Sequence, residues 1–247
     1  MEKQVAMGTV KNAVILVAGE GKRLRPFTEK HPKCFAEIAN KRILDNTLEA
    51  LASQGCRTVW IVIGHFARQI QETVGSSFQG MEINYIVNPV YQTTNSMFSL
   101  SMGLEQVKEA TWVIEGDVFF SAPVLSLASE ADIAWYVDSS VRNLDGAFLE
   151  AGEDGRAKSL QIIRDLRLLQ DNQYKSIGML KLSDVGVELV RSWLQQGVEE
   201  QRVNDYYDLI LGDRMSDTAI KLVDIAGNDW YEVDTMDDLE RARQLFA

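Results

Sequence analysis

A chain of 247 residues with 46% apolar content has ample material for a packed core and is too hydrophobic to stay disordered. A quarter of it is charged and no apolar run approaches the roughly 18 residues a bilayer span needs, so a membrane-inserted protein is not expected. With 25 basic against 36 acidic residues the formal charge is −11, a field that repels long polyphosphates and speaks against general nucleic-acid binding.

Taken in chain order, the opening MEKQVAMGTV lacks the apolar stretch and cleavage site of a secretory signal, which makes the cytoplasm the expected address. Residues 13–18 (AVILVA) form a continuous apolar run of strand length, closed by Gly19 and followed by a polar loop carrying Pro26 and Pro32. Between Glu20 and Arg42 lie seven basic and three acidic side chains, an excess that suits a compact anion or a solvated loop. From Ile43 the apolar spacing predicts a helix ending at Gly55, then a strand over 58–63, a helix over 66–74, a strand over 81–87 and a helix from Asn95 or Ser96. An apolar strand over 111–114 runs into Glu115-Gly116-Asp117. Beyond residue 121 the texture changes: a short helix, the strand DIAWYVDSS, and two strands joined by a turn at Glu153-Asp154-Gly155. A strand over 174–182, helices over 185–195 and 205–211, a strand over 219–224 and a helix from Thr235 complete the chain. Strands alternating with helices imply right-handed crossovers and a mostly parallel sheet with helices on both faces, here with a small antiparallel annex. Cys34 and Cys56 stand in no CxxC or Cys/His cluster, so neither a disulfide framework nor a zinc site is expected.

The loop VAGEGKRLRP, residues 17–26, leaves the carboxyl end of the first strand, where open α/β sheets hold their ligands. Gly19 and Gly21 lack Cβ atoms and let backbone amides turn toward an anion, and Lys22 and Arg23 add charge. Leu24 occupies the place where a dinucleotide fingerprint needs glycine, and the spacing GxxxxGK[ST] is absent, so both familiar nucleotide loops fail.

The stretch VILVAGEGKRLRPFTEKHPKCF, residues 14–35, resembles the amino-terminal motif LAAGxGxRLxPxTxxxPK of the sugar-phosphate and choline-phosphate nucleotidylyltransferases, with Val17 in place of an alanine. The segment NPVYQTTNSMFSL, residues 88–100, resembles the NPxYxxxNNxxSL element of the phosphocholine cytidylyltransferase branch, with Ser96 where a second Asn is common. SIGMLKLS and NDYYDLIL, later in the chain, resemble that branch as well. The resemblance implies an α/β, Rossmann-like (GT-A-like) fold in a single domain over 1–247, with 11–120 mainly binding nucleotide and 121–247 mainly binding the acceptor and supplying a second metal ligand. It implies that Ala18, Gly19, Glu20, Gly21, Lys22 and Arg23 hold the triphosphate, that Lys33 and Arg23 act on the reacting phosphates, and that Asn88, Thr94, Asn95 and Ser96 line the base and ribose pocket. Read locally, Asn88-Pro89 also suits a turn and Asn95 or Ser96 a helix cap. Asp117 and Asp234 are carried over as the ligands of Mg²⁺, an ion suited to a few hard carboxylates with phosphate oxygens, although Asp234 also suits the N-cap of the last helix.

For the acceptor, Trp135, Tyr136 and Asp138 of the annex put aromatic faces beside a carboxylate, a pairing suited to an alkylammonium group, and Tyr174, Tyr206, Tyr207 and Trp230 are further candidates. The expected activity is transfer of CMP from CTP to a small phosphorylated amine or aminoalkylphosphonate, phosphocholine or 2-aminoethylphosphonate being first choices, with release of pyrophosphate. A homodimer is compatible with the sequence. The alternatives are a hexose- or inositol-phosphate nucleotidylyltransferase, a nucleotide-sensing module without catalysis, and a metal-dependent glycosyltransferase, whose usual DxD pair is not evident at Glu115-Gly116-Asp117.

Overall fold

The computed structural model describes residues 9–127 and 129–247; residues 1–8, on which most of the secretory-signal question falls, and residue 128 lie outside the described residues. The first half runs β1 (Asn12–Val17), β2 (Glu37–Ile38), β3 (Lys41–Arg42), α1 (Ile43–Ser53), β4 (Thr58–Ile63), α2 (Ala67–Val74), β5 (Ser77–Phe78), β6 (Met81–Val87), α3 (Ser96–Leu104), β7 (Thr111–Glu115) and β8 (Val118–Phe120). The second runs β9 (Ile133–Asp138), β10 (Gly146–Ala151), β11 (Ala157–Ile163), β12 (Gln173–Leu182), α4 (Asp184–Glu199), α5 (Tyr207–Gly212), β13 (Ile220–Asp224), β14 (Trp230–Glu232) and α6 (Met236–Leu245). Single-turn 3₁₀ segments at Lys22–Leu24, Phe27–Glu29 and Lys33–Phe35 fold the long basic loop back under β1.

One sheet carries the fold, in the order β11-β10-β12-β7-β1-β4-β6-β5, with β9 paired to β12 and β13 to β9. Strands β7, β1, β4 and β6 run parallel, with Ile15 opposite both Ile61 and Ile114. The antiparallel strands continue this same sheet: β12 lies against β7 with Leu180 opposite Val113, and β10, β11 and β9 build outward from it. The parallel strands read as continuous apolar runs because both of their faces are covered. Ala13, Ile15 and Val17 of β1 enter one core with Leu44, Leu48 and Leu51 of α1, Ile70 of α2 and Leu239 of α6. Val14 enters the other with Leu100 and Leu104 of α3, Val187 and Val190 of α4 and Ile210 of α5.

The helix ends follow local chemistry. Gly55 adopts φ +78 just after α1, the left-handed conformation that ends a helix at low cost. Asn95 caps α3 by accepting from the Ser96 amide, and Thr235 caps α6 in a reciprocal box with Asp238. The cap of the last helix is therefore Thr235, which leaves the neighbouring Asp234 carboxylate free for other partners. Cys34 and Cys56 are both buried free thiols.

Candidate active site

At the carboxyl ends of β1 and β7 the chain makes two tight excursions that face each other. After β1 the loop turns at Gly21, whose φ of +61 lies in the left-handed region, and an added Cβ there would meet Thr28 Cγ2 at 3.0 Å and Lys33 Cβ at 3.1 Å. A Cβ added at Gly19 would meet nothing within 4 Å, so the open space beside its backbone is room for a ligand. After β7 the chain reverses at Gly116, whose amide donates to the Leu16 carbonyl at 3.0 Å. A Cβ there would fall 2.2 Å from Val17 Cγ1, so glycine is what lets this turn close on β1.

A second, two-stranded ladder decides the site. β8 pairs antiparallel with β14, Val118 opposite Glu232, and the Val233 amide donates to the Asp117 carbonyl at 2.9 Å. Asp117 and Asp234, far apart in sequence, thereby come side by side. Lys33 Nζ sits between them, 2.7 Å from Asp117 Oδ2 and 2.6 Å from Asp234 Oδ1, while Arg23 holds Asp234 Oδ2 at 2.8 Å. Burial opposes the charge on Lys33, but the two carboxylates overcome it and hold its pKa above the ordinary lysine value. Burial likewise works against ionising Asp234, yet Lys33 and Arg23 hold it below the usual carboxylate range. Asp117 Oδ1 is buried with no hydrogen-bond partner among the described residues. An ammonium already occupying the gap and an unanswered carboxylate oxygen beside it are the surroundings a cation needs, so the donor set fits a hard divalent ion.

This group opens on a cavity of about 490 Å³ lined by the loop from Ala18 to Arg23, by Lys33, Asp117 and Asp234, and on its far wall by Asn88, Tyr91, Thr94, Asn95 and Ser96. Lys22 pairs with Glu20 at 2.7 Å on the exposed side of the loop. The far wall is more structural than the motif implies. Asn88 is 1% exposed; its amide donates to Thr94 Oγ1 at 3.0 Å and Ser99 Oγ at 3.2 Å and its carbonyl accepts from the Val90 amide at 3.0 Å. It shapes the loop and has no amide hydrogen left for a base. Asn95 both lines the cavity and caps α3, and Ser96 Oγ accepts from the Tyr207 amide at 3.2 Å.

The acceptor residues read from the sequence need correction. Alternation along β9 sends Trp135 into the core shared with α3, α4 and α5, its Nε1 donating to Ser176 Oγ at 2.9 Å, and Tyr136 into the core on the other face, its hydroxyl donating to the Leu127 carbonyl at 2.8 Å. Both are fully buried. Asp138 accepts from Trp230 Nε1 at 2.7 Å and from Ser140, so this pair is a buried structural bond. Tyr174 packs against the same core as Trp135, and Tyr207 is fully buried within it. None of these six side chains lines either cavity.

A smaller cavity of about 80 Å³ adjoins the first through Arg23, Glu115, Tyr206 and Asp234, and adds Arg164, Lys175, Asp208 and Glu232. The carboxylate oxygens of Glu115, Asp117 and Glu232 lie within 4.8 Å of one another. Burial, then the neighbouring carboxylates, pushes Glu115 well above its ordinary value; burial pushes Asp208 up to about 6 and raises Glu232 against the pull of Lys175. Lys175 Nζ is 2.7 Å from Glu232 Oε2. Sequence reasoning passed over these groups, although a signal was present: Glu-x-Asp occurs at both turns, as Glu115-Gly116-Asp117 and Glu232-Val233-Asp234, each Glu being the last residue of a strand.

Residues 12–134 match the Nucleotidyl transferase family. The chain belongs to that family. Among its relatives, the CMP-5'-(3-aminopropyl)phosphonate synthase of Streptomyces rubellomurinus is 32% identical over 95% of this chain, which spans 38% of that protein's length. The choline-phosphate cytidylyltransferase of Streptococcus pneumoniae is 21% identical over 94% of this chain and 97% of its own. The solved structure of the CTP:phosphocholine cytidylyltransferase from Streptococcus pneumoniae superposes with a TM-score of 0.77 over 96% of this chain and 99% of that one, at 20% identity. The inositol-1-phosphate CTP transferase from T. maritima superposes at 0.79 over 97% and 96%, also at 20% identity. These two likenesses show the Rossmann-like nucleotidyltransferase fold. Among the described residues no helix is long and apolar enough to cross a membrane.

Proposed function

We propose that this chain transfers CMP from CTP to a small phosphorylated amine or aminoalkylphosphonate and releases pyrophosphate, with Mg²⁺ held by Asp117 and Asp234. The observation that carries the reading is Lys33 lodged between Asp117 and Asp234 on the wall of the larger cavity, with Asp234 and Arg23 shared with the smaller one. In-line attack of one phosphate on another brings two anions together, and at about 4 Å their repulsion is roughly 4 kcal/mol at an effective dielectric near 20. Lys33 and Arg23 supply fixed positive charge on that wall, and a divalent ion on the aspartates would supply Lewis-acid charge for the phosphate oxygens when bound. A dianionic phosphate or phosphonate is already a nucleophile, so no general base is required. The backbone of the loop from Ala18 to Arg23 cradles the triphosphate, and the wall from Asn88 to Ser96 encloses base and ribose. Residues 11–120 then serve mainly the nucleotide and 121–247 mainly the acceptor within one domain, with Arg23 and Glu115 reaching across. The name of the Streptomyces relative, a CMP-5'-(3-aminopropyl)phosphonate synthase, supports the choice of acceptor, and a cytoplasmic address belongs to the same reading.

The test is a pyrophosphate-release screen crossing the four nucleoside triphosphates with 2-aminoethylphosphonate, phosphoethanolamine, phosphocholine and sugar phosphates, with and without Mg²⁺. CTP with an amine-bearing acceptor is expected to give the highest rate, and only with Mg²⁺. Release with sugar phosphates alone would move the assignment to the hexose or inositol type, and no release from any pair would end the transferase reading.

A further inference from the structure

The smaller cavity carries a charge problem that the transfer chemistry does not use. Of its four acids, Asp234 is held by Arg23 at 2.8 Å and Glu232 by Lys175 at 2.7 Å. Arg164, the third base on this wall, is engaged by Asp145 at 2.7 Å. Glu115 and Asp208 make no ion pair among the described residues, although Asp208 is only 6% exposed and both face the cavity. The Tyr207 hydroxyl, buried behind this wall, lies against Glu115 as its hydrogen-bonding neighbour, which leaves Asp208 as the carboxylate with no side-chain donor among the described residues. A buried carboxylate with no side-chain donor, beside a second with no ion pair, is costly in one pocket unless a cationic donor completes them.

We infer that this cavity is a subsite for a primary ammonium group, so that the acceptor carries an unsubstituted amine and a quaternary one is rejected. The inference rests on the transfer reading for the anionic end of the acceptor. A primary ammonium brings three N–H donors, the number needed to engage carboxylate oxygens on different elements at once. Lys175 shows that an ammonium is at home among these acids, since its own Nζ lies within hydrogen-bond distance of Glu232 and of the Ser176 carbonyl. A trimethylammonium group has no N–H to offer and is best held by aromatic faces. Those faces are missing: Trp135, Tyr136 and Trp230 are turned into the core, and Tyr206 is the aromatic side chain on this wall. A second divalent ion on Glu115, Asp117 and Glu232 is the competing occupant. It is disfavoured because Glu232 is already committed to Lys175 and because it would leave Asp208 unanswered.

Phosphoethanolamine and phosphocholine form a matched pair that differs only in methylation of the nitrogen. Calorimetric binding of each to the protein saturated with Mg²⁺ and a non-hydrolysable CTP analogue reads the subsite directly, and pyrophosphate release with CTP reads the chemistry. The primary amine is expected to bind about tenfold or more tightly, and Asp208→Asn and Glu115→Gln each to erode that preference by about tenfold, with CTP affinity held in Asp208→Asn, whose side chain lines the smaller cavity alone. Equal or better binding of phosphocholine, or failure to bind either, overturns the inference. So do variants that keep the preference but raise the Mg²⁺ concentration needed for turnover, which would assign the acids to a metal. Selective binding of the primary amine without pyrophosphate release would leave the subsite standing and sink the transferase reading instead.

Discussion

Replacing Lys33 by Met separates the charge of this residue from its packing. In the wild-type protein one ammonium answers two carboxylates, at 2.7 and 2.6 Å. Met keeps the apolar stem and leaves Asp117 and Asp234 facing each other. Removing one partner from a fully buried pair costs about 3–5 kcal/mol, because the remaining charge is left without an answer. Here the three side chains retain 16–20% of their exposure and Arg23 still holds Asp234. Solvent screening brings the expected loss to about 2–3 kcal/mol. For a chain of this length that is about 5–10 °C in Tm. Thermal unfolding in the presence of a chelator measures it. Added Mg²⁺ then has two unoccupied carboxylates to bind and should raise the Tm of the variant more than that of the wild type. Pyrophosphate release should fall mainly in kcat, with the KM for CTP little changed. A variant that melts with the wild type in chelator, or that gains no more from Mg²⁺, would refute the view that Lys33 is the internal cation of this pair.

Gly116→Ala should cost about 1–3 kcal/mol by overpacking against Val17 and should also depress turnover, since the same turn carries Asp117; normal activity at reduced Tm would separate the two effects and count against the positioning role. Trp135→Ala should cost about 3–5 kcal/mol as a core cavity while leaving the acceptor KM of the residual folded enzyme unchanged; a raised KM with intact stability would return this residue to the acceptor pocket. Asp208 is pushed up to about 6, chiefly by burial, so the folded chain holds a proton that the unfolded chain has released. Its contribution to stability is full below about pH 4 and is lost as pH rises through about 6. Asp208→Asn should therefore gain up to about 3 kcal/mol on the wild type between pH 4 and pH 8 in urea unfolding, and an equal difference at both pH values would contradict the sign.

The parallel strands were legible because burial on both faces leaves uninterrupted apolar runs, as in AVILVA, and α1 was legible from its spacing and from Gly55. The glycine loop, Lys33, Asp117 and Asp234 were legible as a motif, and the structure brings all of them to one place. What joins them was not. β8 and β14 are three residues each, too short for any periodicity to register, yet their pairing places the two aspartates together. The aromatic residues of β9 misled for a related reason: alternation tells that successive side chains part company, but not that both sides of this strand are covered. Lys175 and Asp208 sit in otherwise apolar segments, where a charge that must be answered from elsewhere is the cue to look for a pocket.

The ladder between β8 and β14 also sets a schedule. Its second strand and Asp234 lie near the end of this sequence, long after the parallel strands have been made. A chain leaves the ribosome N-terminus first. A growing polypeptide can thus own the whole glycine loop together with Lys33 and Asp117 and still have half of its acidic pair unsynthesised. Until residue 234 is in place, Lys33 has Asp117 alone to answer it.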